Sequence, residues 1–268
     1  ILRPVICSPP KIKEYYKGKL VGKKYICDYI KMEFYRGYIK SLIEFYSLLS
    51  MKHYKDFSEA LYVWSNNFKI REHKNIEIML SNLINERKCQ NDKETSLKYI
   101  ADYIRRIIGK VNNIFINTGN DNTKCIKGSH DFKYNNDNPN LSFKEFVDLL
   151  NDNEQYNNCK INNFLMKDKN NLVLDIIDKS DKYNDLGKKD GFDRIIDELN
   201  NILNKKNKNI TCNICSKIGD LIISVLSPDN MILEHTDFSF NYLCKILNKN
   251  HFQYPTDKII LENQTCED

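Results

Sequence analysis

The sequence predicts an α/β fold, a small parallel-sheet core assembled from both ends of the chain with a mostly α-helical insertion between them. Short strand-like apolar runs lie near the two ends, at residues 24–27, 231–235 and 258–261. Across the middle, apolar residues recur at the spacing of helix faces instead. Two of the end strands run directly into helical stripes, the strand-then-helix order from which parallel sheets are built. The expected division is therefore a core from residues 1–50 and 206–268, with residues 51–205 as the insertion.

Taken along the chain, Lys24-Tyr-Ile-Cys27 reads as the first strand, and Asp28 is placed to cap the helix that follows it. That helix shows Met32, Tyr35, Tyr38, Ile39, Leu42, Ile43, Tyr46 and Leu49 on one stripe, a core face more than a base-stacking platform. Asp56-Phe-Ser-Glu59 has the form of a capping box and opens a helix through Leu61, Tyr62 and Trp64. Helices are expected near 74–87 and 94–110, the second on Leu97, Ile100, Ile104, Ile107 and Ile108. Residues 111–140 are rich in Asn, Asp and Gly and read as a long loop. Ser142-Phe-Lys-Glu145 is a second capping-box pattern, and Phe192, Ile195, Ile196, Leu199, Ile202 and Leu203 mark a later helix. After a Pro-Asp-Asn turn at 228–230, Met231–His235 forms a strand, and Lys258–Leu261 is expected to be the last.

Composition narrows the class more than the chemistry. The 268 residues are 41% hydrophobic and 29% charged, which suits an ordered globular chain. Nine Gly and six Pro exclude a collagen-like chain and a Gly-rich dinucleotide fold. The opening Ile1-Leu-Arg-Pro-Val-Ile6 lacks the pattern of a secretory signal, and no apolar run approaches the length of a membrane span. Nine dispersed cysteines then suggest free thiols in a reducing cytoplasm. The net charge of +5 is unevenly spread: residues 1–90 hold 17 Lys and Arg against 9 Asp and Glu, while residues 211–268 hold 4 against 8. A phosphate-attracting first third beside a carboxylate-rich end is one explanation, and a solvated Lys-rich face is the other.

The stretch Ile218-Gly-Asp220-Leu-Ile-Ile followed by Glu234-His-Thr236-Asp237-Phe238-Ser-Phe240 carries the chemistry. Asp220 begins a short apolar helix, and Asp237 ends a short strand. Carboxylates delivered to the carboxyl ends of parallel strands can converge on a divalent cation, which favours oxygen ligands. Taken singly, each acid reads equally as a helix cap or a surface charge. Together with Glu33-Phe-Tyr-Arg36-Gly37 in the helix after the first strand, the pattern resembles the PIN-domain ribonucleases.

That resemblance implies a metal-dependent endoribonuclease in which Glu33, Asp220 and Asp237 hold one or two Mg²⁺ or Mn²⁺ ions. Thr236 would orient Asp237 or a water, and Lys23, Lys24, Lys31 and Arg36 would hold the backbone of a single-stranded RNA. The implied products are a 3′-hydroxyl and a 5′-phosphate. Small stand-alone members of the family serve in toxin–antitoxin pairs or RNA processing, and here the insertion could bind RNA or a partner protein. Two departures are visible. No Asp precedes Pro4, the first acid being Glu14, so the family's leading Asp is expected upstream of Ile1, leaving the activity of the chain as given in doubt. Glu33 and Asp220 stand 187 positions apart, and the 51–205 stretch accounts for the excess.

Cys212-Asn-Ile-Cys215 reads first as a pair of buried or idle thiols; a redox pair is a second reading, and a zinc site would need Cys244, His235 or His251 to complete it, none of which has a partner at standard spacing. His235 reads as a strand-end residue before a catalytic base. The alternative to a nuclease is a non-catalytic, mostly helical protein that binds nucleic acid or another protein, its acids serving as caps and surface charges.

Overall fold

The computed structural model describes residues 10–20, 22–67, 80, 92–118, 125, 135, 137–151, 159–180, 191–204, 210 and 212–255, and these are mostly helical. Helix α1 (Pro10–Lys19) leads to strand β1 (Lys24–Ile26) through a turn at Gly22, where a φ of 88° suits a residue without Cβ. One continuous helical run follows: α2 (Asp28–Phe34), a five-residue π segment (Tyr35–Ile39) and α3 (Lys40–Ser50). Then come α4 (Phe57–Asn67), α5 (Lys93–Ile114) and β2 (Phe115–Asn117).

The next elements are α6 (Pro139–Asn151), α7 (Lys160–Asn163) with a second π segment (Phe164–Asp168), α8 (Asn170–Ser180) and α9 (Phe192–Asn204). The last part holds α10 (Cys212–Lys217), α11 (Gly219–Leu226), β3 (Leu233–His235), α12 (Ser239–Ile246) and β4 (His251–Gln253).

The strands pair in two parallel sets. In one, Lys24 lies opposite Phe115 and Ile26 opposite Asn117; in the other, Leu233 lies opposite His251 and His235 opposite Gln253. The ladders continue past the strands, with Thr118 N donating to Ile26 O at 2.9 Å and Tyr254 N to His235 O at 2.7 Å. A parallel pair cannot be closed by a hairpin, so α12 makes the crossover between β3 and β4. Residues of both β1 (Lys24, Tyr25, Ile26) and β3 (Leu233, Glu234) line one cavity of about 380 Å³, which brings the two sheets to neighbouring positions.

Two apolar cores fill the interior. The first joins Tyr38, Leu42, Phe45 and Leu49 to Phe57 and Trp64 of α4, Ile104 and Ile107 of α5, and Phe143 and Phe146 of α6. The second joins Tyr29 and Met32 of α2 to Leu165, Val173 and Ile195, and to Leu221, Ile222 and Leu243 near the C-terminal strands. Burial of a single side chain such as Leu42, at 0% exposure, contributes about 1.5–3 kcal/mol. Because α2 and α3 are one helical run, the two cores are mechanically joined.

Periodicity located α5 and α9 well, since each buries one apolar stripe, Ile100, Ile104, Ile107, Ile108 and Val111 in the former and Ile195, Leu199 and Ile202 in the latter. The first capping box forms with its return bond displaced by one residue: Glu59 N donates to Asp56 Oδ1 at 2.9 Å, and Lys55 N, just before the N-cap, donates to Glu59 Oε2 at 2.8 Å. The second does not. Helix α6 begins three residues earlier, at Pro139, and Ser142 lies inside it, its Oγ accepting from Asn135 N at 2.8 Å. Asn138, whose Oδ1 accepts from Leu141 N at 3.3 Å, does the capping instead.

Asp28 is likewise not the cap of α2. Cys27 occupies that position, and the buried Asp28 carboxylate accepts from Asn117 Nδ2 at 2.5 Å, tying the end of β1 to the end of β2. The expected loop at 111–140 opens with the last turn of α5 and then β2, so the 51–205 stretch supplies a strand to the sheet as well as helices. The final described strand is His251–Gln253; the one expected at 258–261 lies outside the described residues, as does the helix near 74–87 apart from Leu80. Among the described residues no helix is long and apolar enough to cross a membrane.

Candidate functional site

Three elements deliver the acids named from the sequence. Glu33 projects from α2, Asp220 from the first turn of α11, and Asp237 from the connection between β3 and α12. Helix α11 packs on α2 because residue 219 is glycine: a Cβ there would lie 2.7 Å from Glu33 Oε1 and 2.8 Å from Tyr29 Oη. Glu33 is thus held against the residue that precedes Asp220. Tyr29, one helical turn before Glu33 and completely buried, donates to Cys215 O at 2.8 Å and also lies in hydrogen-bonding range of the Glu33 carboxylate. Burial, with help from these two neighbours, pushes the Tyr29 hydroxyl pKa well up.

Asp220 is half-buried, and its Oδ2 accepts a hydrogen bond from Ser239 Oγ at the start of α12. Burial raises its pKa above the ordinary carboxylate range, the Ser239 bond opposes this, and the negative charge of Asp237 adds to the rise. Asp220 and Asp237 therefore sense each other electrostatically, as two acids of one site must. Asp237 is exposed, and the turn before it is tied down through Thr236, whose backbone carbonyl accepts from Gln253 Nε2 at 3.5 Å. Gln253 Oε1 in turn accepts from Asn241 Nδ2 at 2.7 Å, fixing β4 to α12.

Glu33 thus lies against Gly219, and Asp237 acts on Asp220. Among the described residues, however, no three His, Cys, Asp or Glu side chains are arranged to hold one ion. Of the four basic residues expected to face RNA, Lys23 and Arg36 are exposed and Lys24 is half-buried. Lys31 is buried, with its ammonium 5.6 Å from the centre of the Tyr35 ring, and so is withdrawn from the surface. Ser239, Tyr29 and Gly219 were not singled out from sequence. The only signal for the last was a glycine directly before the helix-opening acid.

The zinc alternative gains nothing from the described residues. Cys215 is half-buried with its carbonyl engaged by Tyr29, Cys244 is buried with its thiol pushed up to about 11 chiefly by burial, and the Cys212 side chain lies outside the described set. His235 and His251 face each other instead, Nε2 to Nδ1 at 3.2 Å, with stacked rings.

His235 is 3% exposed, and burial followed by the adjacent His251 lowers its pKa to about 4. Since the folded value is below the ordinary one of 6.5, the neutral ring stabilises the fold fully above that pH. The contribution is lost as pH falls towards 4. Urea midpoints measured between pH 7 and pH 4 should therefore decline, and His235→Gln should flatten the decline; an equally steep fall in the variant would place the sensitivity elsewhere.

In comparisons with known proteins, no family model matches the chain, and neither does any curated protein or solved structure.

Proposed function

We propose that the chain is a divalent-metal-dependent endoribonuclease with a PIN-like core formed by residues 1–50 and 206–268. The observation that supports this reading is that Asp237 acts on the half-buried Asp220, while Glu33 lies against Gly219, the residue before Asp220.

The donors are hard oxygens, the chemistry that Mg²⁺ and Mn²⁺ select. Glu33 and Asp237 are exposed side chains, and exposed side chains exchange rotamers within nanoseconds. When bound, such a cation supplies Lewis acidity, making a water more acidic and compensating charge at the phosphate. The chain's own residues do the rest. Ser239 orients the Asp220 carboxylate, and the Gln253 brace on Thr236 fixes the approach of Asp237. Lys23 and Arg36, the exposed basic residues beside the first strand and on the Glu33 helix, attract the RNA backbone. Among the described residues Cys27, Cys125, Cys159, Cys215 and Cys244 form no disulfide, which is compatible with work in the reducing cytoplasm.

The second reading, a helical interaction protein without catalysis, is favoured by the absence of a ready three-ligand arrangement among the described residues. Incubation with single-stranded RNA and Mn²⁺ separates the two. Cleavage that leaves 5′-phosphate ends and disappears in Asp237→Asn, with the circular dichroism spectrum retained, is the expected result. RNA bound but uncut by the parent chain would support the second reading.

A further inference from the structure

The cavity of about 380 Å³ between the two sheets has the form of a slot for a strand. Side chains of a strand alternate between its faces, so a cavity lying on one face touches every second residue. This one is lined by all of residues 23–27 and all of residues 231–234, and so runs along an edge of β1 and an edge of β3. The ladders show which groups point into it. Thr118 N donates to Ile26 O, so the main chain of Ile26 is turned to β2 and that of Tyr25, by alternation, is turned away. Leu233 N donates to Asn250 O and His235 O accepts from Tyr254 N, which turns the main chain of Glu234 away from β4. Among the described residues neither Tyr25 nor Glu234 has a main-chain hydrogen-bond partner.

We infer that this slot receives an extended segment of a partner protein, apolar at alternate positions and acidic where it passes Lys23 and Lys24. The inference stands apart from the metal-site reading. A strand laid between β1 and β3 would take the N–H and C=O of Tyr25 on one side and those of Glu234 on the other, and open strand edges are the usual template for such addition. Each flanking strand is three residues long, so the incoming segment needs only about three residues in register, roughly 10 Å of extended chain. Its inward side chains would meet Ile30 of α2 and Ile223 and Leu226 of α11, all apolar. Charge narrows the sequence further. The slot carries two ammonium groups against one carboxylate, that of Glu234, which already accepts from Tyr254 Oη at 3.3 Å. Lys23 is exposed and Lys24 half-buried, and among the described residues neither forms an ion pair. An acidic residue of the incoming segment supplies the counter-charge.

Fluorescence anisotropy of the full chain with a labelled hexapeptide, an aspartate followed by alternating valine and threonine, tests this together with amide hydrogen exchange. Saturable binding is expected, with the Tyr25 and Glu234 amides exchanging freely in the chain alone and protected by the peptide. Methylating the peptide's amide nitrogens removes its donors and keeps its side chains; binding should weaken roughly 10-fold or more. Tyr25→Pro deletes an N–H that points into the slot and leaves the bonds to β2, so it should weaken binding about 2- to 10-fold, the worth of one main-chain hydrogen bond. Lys23→Glu, at an exposed position, should weaken the aspartate-led peptide and strengthen a lysine-led one without altering the thermal melt. No saturable binding of the aspartate-led peptide, or equal binding of its methylated form, overturns the strand slot. Protection of the Tyr25 and Glu234 amides in the chain alone does so too, because the edges would then be paired within this chain. Equal affinity for the aspartate-led and lysine-led peptides overturns the acidic partner.

Discussion

Asp220→Asn is expected to abolish metal-dependent RNA cleavage while leaving the chain at least as stable as its parent. The two effects have one origin. Asp220 is half-buried within the field of Asp237, so its ionised form is disfavoured in the folded chain and its pKa is raised. A carboxylate raised in this way contributes stability below its unfolded value of 3.8, and loses that contribution as pH climbs through the raised folded value. At neutral pH the charge is a burden on the fold.

Asn removes the charge and keeps an oxygen to accept from Ser239. Urea midpoints should consequently favour the variant at pH 7 and converge towards the parent near pH 4. Cleavage should fall on the order of 100-fold or more, the size of effect seen when a single electrostatic contact to a transition state is removed. A variant clearly less stable than the parent at pH 7 would show that the carboxylate is a structural anchor instead.

Phe45→Ala should produce the largest loss of stability among conservative probes of the core, about 3–5 kcal/mol. The ring is 0% exposed and lies edge-on to Phe57, with centroids 5.1 Å apart, and to Trp64 at 5.8 Å. Truncation removes both aromatic contacts as well as the apolar transfer energy, and α3 and α4 cannot collapse without separating from α5. A loss of this size is a large fraction of the roughly 5–15 kcal/mol that stabilises an ordinary domain. Equilibrium urea unfolding monitored by circular dichroism would measure it. Phe45→Leu, which retains most of the volume, should cost well under half as much; a loss below about 1 kcal/mol for the Ala variant would contradict the tight packing around this ring.

How far the sequence could be read differs from element to element for physical reasons. Helices α5 and α9 were legible because each buries a single stripe against one core, and such a stripe repeats over several turns. Strand β2 was hidden. It is three residues long, too short to display alternation, and Phe115 follows the last helical residue without a break. Strand β4 is equally short and begins with a histidine. Asp28 looked like a cap because an acid between strand and helix is usually one; its true partner, Asn117, is 89 positions away and was invisible to local reasoning.

At the site no three-acid metal group is formed among the described residues, and only the influence of Asp237 on Asp220 was legible from strand and helix order. The groups that hold those acids were not. Ser239, Tyr29 and Gly219 act through tertiary contacts, and neither residue type nor spacing announces a side-chain hydroxyl turned to a carboxylate or a missing Cβ that admits one.

The π segment at Tyr35–Ile39 gives the long helical run a gear change. A π turn accommodates an extra residue in a helix, and one residue is about 100° of rotation. Before it, Tyr29 and Met32 face the core that contains α11 and α12; after it, Leu42, Phe45 and Leu49 face the core of α4, α5 and α6. The segment begins two residues after Glu33 and contains Arg36 and Gly37. The angle at which Glu33 meets Gly219 is therefore coupled to the angle at which the other half of the helix meets its own core. A one-residue deletion within the π segment would leave both halves helical but out of phase: either core could be satisfied, and the other would be presented with the wrong face.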